Sequence, residues 1–299
     1  MQASVVWQRI LTFLVLTVIF TATFELLILW LHPPSSAKEY DYYVLSVTWS
    51  PGLAALLTKW LYDRNFADFG WRWINRKWLL ISYGIPLLYS LVAALGTWLS
   101  GLGKFDDTEA LQALTAPLGF NHFPFPFNLI GVVLVTATFG WLHYGLTALG
   151  EELGWRGLLV PELSKIMPFT PTAILSGCVW ALWHYPIILL SDYNGGTPPG
   201  YSIPCFTLML VATSVPLTWL RLRSGSLWAG VVFHASHNVF ILSLFNPLTQ
   251  DTGITKYISG EFGVALVITT AIAAAVFWRW RSHLPQSQAR AQQRTPTAR

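Results

Sequence analysis

The chain has 299 residues, of which 54% are hydrophobic and only 11% charged, against about 25% charged in an average soluble protein. That balance excludes a soluble globular domain and describes a polytopic membrane protein, with 16 Trp, 18 Phe and 11 Tyr to furnish aromatic belts at the two interfaces. The formal charge of +4 has no basic cluster behind it, which argues against a nucleic-acid partner, and the two cysteines, Cys178 and Cys205, imply neither a disulfide framework nor a thiolate metal site.

Eight stretches reach the roughly 20 apolar residues that cross a bilayer. They lie near 10–32, 43–62, 78–100, 128–160, 169–190, 201–220, 226–245 and 259–279. The expected fold is therefore all-α, a bundle of about eight transmembrane helices forming one domain over 1–281. The first stretch is longer than a signal-peptide core and reads as a retained span. Between spans two and three, Asp63 to Lys77 mixes Phe66, Phe69, Trp71 and Trp73 with Arg64, Arg72 and Arg76, which suits a segment in the headgroup region or an ordinary basic loop. Asp106-Asp107-Thr108-Glu109 opens a short capped helix. The fourth stretch is too long to stand upright, so it tilts or starts outside the hydrocarbon. Residues 282–299 are rich in Gln, Ser and Arg without apolar periodicity and read as a disordered basic tail. With both termini cytoplasmic, 14 Lys and Arg fall on that side against Lys38, Lys104 and Lys256 on the other, leaving only Arg156 of the 18 within a span. That asymmetry fits a multi-pass protein of a bacterial plasma membrane.

Gly150-Glu151-Glu152-Leu153-Gly154-Trp155-Arg156-Gly157 interrupts the apolar fourth stretch. Charged groups at that depth cost several kcal/mol unless paired or hydrated, so they face a bundle interior or a watery cavity. On a helix Glu152 and Arg156 share a face as an i,i+4 pair, while Glu151 points about 100° away. Arg156 would hold Glu152, leaving Glu151 free for chemistry. Gly150 and Gly154 form a G-x-x-x-G step that admits a neighbouring helix. A purely structural Glu–Arg lock between helices is the plainer alternative.

Two later spans add Trp180 and His184 in the fifth, next to Pro186, and His234, His237 and Asn238 in the seventh. At about 1.5 Å per residue, Glu151, His184 and Asn238 all rise roughly 21–22 Å from the cytoplasmic ends of their helices, with His234 one turn lower. Pro186 would leave the carbonyl of Leu182 without its helical partner, consistent with a small aqueous pocket at that level. Glu151 and His184 are a plausible pair for activating water, and His234 and Asn238 could donate to a carbonyl oxygen becoming tetrahedral. A second scheme places a zinc ion on Glu151, His184 and His234. No H-E-x-x-H and no glycine-rich phosphate loop occurs.

Glu151-Glu152-x-x-x-Arg156, Trp180-x-x-x-His184 and His234-x-x-x-Asn238, in that order, resemble the three motifs of the CPBP family (CAAX protease and bacteriocin-processing, also called Abi). The resemblance covers about residues 128–245 and implies an eight-helix intramembrane endopeptidase in which Glu151 and His184 activate water and His234 and Asn238 form the oxyanion hole. Members of the family are described both as glutamate and as metal-dependent proteases, and the glutamate scheme without a cofactor is favoured here over the zinc one. Trp180 departs from the phenylalanine usual in the family. The expected partners are the bilayer and a membrane-associated protein or peptide substrate. Two readings compete: a non-catalytic scaffold or immunity protein that binds a peptide in the same cavity, and a proton-coupled transporter using Glu25, His143 and the Glu pair.

Overall fold

The computed structural model describes residues 3–31, 38–106 and 109–285 and is almost wholly helical. In chain order it contains α1 (Ala3–Leu31), α2 (Lys38–Tyr62), α3 (Arg76–Leu99) and a short α4 (Glu109–Thr115). Next comes one continuous rod from Phe127 to Ile166, built of α5 (Phe127–Val135), a π-helical turn, α6 (Trp141–Glu152), a second π-helical turn (Leu153–Leu159) and α7 (Val160–Ile166). Then follow α8 (Phe169–Leu190), α9 (Pro199–Ser224), α10 (Trp228–Phe240) with a π-helical extension to Phe245, the single turn α11 (Thr255–Ile258) and α12 (Val264–Arg279).

All eight expected spans are helices, and among the described residues seven are long and apolar enough to cross a membrane. The protein is an all-α integral membrane bundle. The remaining long helix, α2, has 25 residues, but its middle, Thr48-Trp49-Ser50-Pro51-Gly52, is small or polar apart from Trp49. That composition is explained by packing. A side-chain carbon on Gly150 would come within 2.8 Å of the Thr48 carbonyl and the Trp49 ring, and one on Gly154 within 2.5 Å of Pro51. Gly52 returns the contact, its missing carbon falling 2.6 Å from the Gly150 carbonyl. The G-x-x-x-G step therefore lets α2 and the rod touch backbone to backbone.

α10 sits at the centre: Val231, Val232, Phe233 and Ala235 are all buried, as are His234 and His237. It packs on α3 and the rod, while α8 pairs with α9 and α12 with α9. The last span starts later than its hydropathy indicates, because a glycine turn occupies the first part of the apolar stretch; Gly260 has φ +77° there. Residues 259–263 thus form a loop at the mouth of the bundle. At the other end of the chain, Trp280–His283 form a 3₁₀ turn that continues α12 beyond the expected start of the tail. Residues 286–299 of that tail lie outside the described residues, as do Asp107 and Thr108 of the expected cap.

Different contacts tie the two ends of the bundle. At one end, Arg9 of α1 reaches Asp63 beyond α2 and lies 3.5 Å from Glu162 of α7, with Lys165 2.6 Å from Glu162. At the other, β1 (Lys104–Phe105) pairs antiparallel with β2 (Thr249–Gln250). The aromatic and basic segment 63–77 is a strap rather than a surface helix: Phe69 is buried, Leu227 N–H donates to the Gly70 carbonyl, and the Trp228 indole donates to the Trp71 carbonyl. The outer aromatic rings, Phe66, Trp71 and Trp73, remain exposed.

Candidate active site

The second π-helical turn begins immediately after Glu152, and Trp155, Arg156 and Gly157 all lie in it. Such bulges shift the side-chain register within a helix and recur at functional sites. The expected pair forms across it: Arg156 Nη1 donates to Glu152 Oε1 at 2.7 Å, with both side chains fully buried. The same carboxylate oxygen lies 3.1 Å from His234 Nδ1 on α10. Gly230, one turn before His234, makes room for it, since a side-chain carbon there would stand 2.5 Å from Glu152 Oε2.

Glu151 takes a different partner. Trp180 of α8 donates its indole N–H to Glu151 Oε2 at 2.8 Å. The Arg156 guanidinium lies over the Trp180 ring at 4.4 Å, and the ring meets His234 edge-on at 5.1 Å. One indole thereby touches the free carboxylate, the arginine and the histidine. Glu151 is 5% exposed and His234 also 5%, so the acid and imidazole groups sit inside the bundle rather than against lipid.

His184 donates Nδ1–H to the Trp180 carbonyl at 2.9 Å, and α8 runs unbroken to Leu190 with Pro186 inside it. Its Nε2 is then the unprotonated nitrogen of the neutral ring. The ring is walled by Trp183, Tyr193 and Phe206. Asn238, one turn beyond His234, is half-buried. An apolar groove of about 390 Å³ lies elsewhere, on the α8–α9–α12 face between Phe169 and Trp278, and none of these polar residues lines it.

His143 is exposed on the outside of the rod, edge-on to Tyr144, and takes no part in the polar layer. Glu25 is half-buried, and Arg156 is paired with Glu152 rather than with it. Among the described residues no three His, Cys, Asp or Glu side chains are placed to share one metal ion. Glu151, His184 and His234 instead direct one atom each to Trp180 or Glu152.

Residues 142–240 match the family model described as type II CAAX prenyl endopeptidase Rce1-like. CAAX prenyl protease 2 of Methanococcus maripaludis is 31% identical over 212 residues, which cover 69% of this chain and 70% of that protein. The chain belongs to the CAAX protease (CPBP) family of intramembrane endopeptidases. The two ends of the family model fall within α6 and at the end of α10, so the match takes in all three motifs.

A second polar cluster adjoins the family motifs. Glu261, in the loop before α12, is 8% exposed. It accepts from the Tyr193 hydroxyl at 2.7 Å and lies 3.5 Å from His237 Nε2, whose Nδ1 is 2.6 Å from the Tyr89 hydroxyl. Burial would raise the Glu261 carboxyl, but His237 and Tyr193 outweigh it and hold the group below the ordinary carboxylate value. Burial, followed by the Glu261 charge, pushes the Tyr193 phenol well above its ordinary value, so it stays a donor. Hydropathy hides Glu261, because a single acid between glycines at the start of an apolar stretch reads as a span boundary.

Proposed function

We propose that the protein hydrolyses a peptide bond of a membrane-associated protein or peptide, with water activated by Glu151 and His184 and without a metal ion. The observation that carries this reading is the Trp180 bond to Glu151 Oε2. It fixes the carboxylate and leaves Oε1 to accept a proton from water. His184 Nε2, with its lone pair free, accepts the water's second hydrogen and so orients it. The water oxygen attacks the carbonyl carbon, and the negative charge moves to the carbonyl oxygen.

That oxygen is met by the Asn238 amide and by His234 Nε2. Because Glu152 engages His234 at Nδ1, donation from Nε2 requires the imidazolium. The proton held by Glu151 then passes to the leaving nitrogen, the C–N bond breaks, and a carboxylic acid and an amine are released. The set Glu151, Glu152, Arg156 and protonated His234 carries no net charge, which limits the cost of burying it. We further propose that both termini face the cytoplasm, as the distribution of Lys and Arg requires.

The relative's name supplies the first probe, a quenched-fluorescent prenylated CAAX peptide in proteoliposomes. Glu151→Gln and His184→Ala should each abolish its cleavage while the protein stays folded. Unchanged turnover in either would remove the mechanism, and a stoichiometric zinc lost together with activity on chelation would replace it with the metal scheme. Comparison of membrane proteomes with wild-type and Glu151→Gln protein would identify the native substrate through a fragment made only by the wild type.

A further inference from the structure

We propose that Glu261 is a positioning residue for this hydrolysis, tying the loop that covers His184 to the helical turn that carries His234 and Asn238. The inference rests on the hydrolytic reading above. One carboxylate oxygen accepts from Tyr193, whose ring lies nearly parallel to that of His184 with centroids 6.4 Å apart at an interplanar angle of 26°. The other oxygen faces His237, the residue between Ser236 and Asn238 on α10. His237 cannot turn freely, because Tyr89 of α3 holds its opposite nitrogen. Carboxylate, imidazole and phenol form a chain in which Nε2–H points to Glu261 and the Tyr89 O–H donates to Nδ1.

The chain reaches both halves of the site from outside it. Tyr193 belongs to the α8–α9 loop on the His184 side, and His237 to the helix on the oxyanion side. Glu261 thus spans the gap in which a substrate carbonyl and water must be held at a fixed separation, where a displacement of about 1 Å can cost a hundredfold in rate. Glu261 and Tyr89 both lie outside the residues matched by the family model, 142–240. A buried carboxylate used only as structural glue gains little over apolar packing, since its desolvation offsets its contacts. Placement between two functional elements gives its retention a purpose.

The test uses the full-length protein in proteoliposomes with the prenylated CAAX peptide, measuring kcat, KM and the thermal unfolding midpoint of Glu261→Gln, Glu261→Ala, Glu261→Asp and Tyr89→Phe. Glu261→Gln and Glu261→Ala should lower kcat by about tenfold or more, with KM within about threefold and most of the protein folded. Glu261→Asp should recover part of the loss, and Tyr89→Phe, which removes only one hydroxyl, should lower kcat by a smaller factor. Wild-type kcat in Glu261→Ala, or a raised KM with kcat unchanged, overturns the assignment. So does a loss that disappears when turnover is expressed per folded molecule. If the Glu261 variants do not fold, Tyr89→Phe decides, and wild-type kcat there overturns it. Cleavage by Glu151→Gln would sink the hydrolytic reading itself, whereas an inactive Glu151→Gln beside a fully active Glu261→Gln would sink only this one. A wild type that leaves the peptide intact counts against both.

Discussion

Trp180 joins the two kinds of chemistry in the site, because its edge donates to Glu151 while its face lies under Arg156. Trp180→Phe keeps an aromatic face and most of the packing but deletes the N–H. A hydrogen bond to a charged group contributes about 1.5–3 kcal/mol, so the unfolding midpoint should fall, and kcat per folded molecule should fall about ten- to a hundredfold as Glu151 loses its anchor. Equal kcat for the two proteins would mean that Glu151 is held by something else. The sequence showed Glu151, Glu152, Arg156, His184 and His234 as misplaced polarity in apolar helices, and helical spacing was enough to pair Glu152 with Arg156. It did not reveal the Trp180 donor, since tryptophan is common in a membrane bundle and nothing local marks which N–H meets a carboxylate. Nor did it give His237 a partner: its contacts with Tyr89 and Glu261 come from distant elements.

The contact between α2 and the rod depends on the absence of side chains. Gly150→Leu would drive its side chain into the Thr48 carbonyl and the Trp49 ring. Overpacking of this kind costs about 1–3 kcal/mol, and here it also displaces the residue next to Glu151. The variant should show a lower unfolding midpoint and reduced turnover, whereas substitution at Gly84, which has open space around it, should be tolerated. An unchanged midpoint in Gly150→Leu would show that the helices are not held at this point. Hydropathy located the long helices to within a few residues at most ends, because each must be apolar over a fixed length. It misplaced the beginning of α12 and missed the strap at 63–77, where turns and bonds to other elements, not periodicity, decide the path.

Across the whole molecule, one end is secured by ions. Burial would raise the Asp63 carboxyl, but Lys59 and Arg9 outweigh it and hold the group below its ordinary value. A carboxyl lowered on folding stabilises the protein above its unfolded pKa, about 3.9, and that contribution is lost as pH falls through the lower folded value. Asp63→Asn should therefore cost about 1 kcal/mol near neutral pH. The gap in unfolding midpoint between the two proteins should narrow as the medium is acidified below about pH 4. A gap independent of pH would assign the effect to packing.

The 40-residue rod from Phe127 to Ile166 is about 60 Å long at 1.5 Å per residue, twice the roughly 30 Å of hydrocarbon available. It must lean or protrude, and its outer half presents Leu134, Phe139 and Leu142 to the lipid. The same rod carries Glu151 in its inner half, so a change in acyl-chain length alters the inclination of the element that holds the proposed general base. Cleavage rates in vesicles of short- and long-chain phosphatidylcholine should consequently differ, and identical rates would show that the rod is anchored by its neighbours alone. Lipid composition would then act on this protease as mechanically as a mutation does, through the slant of one helix.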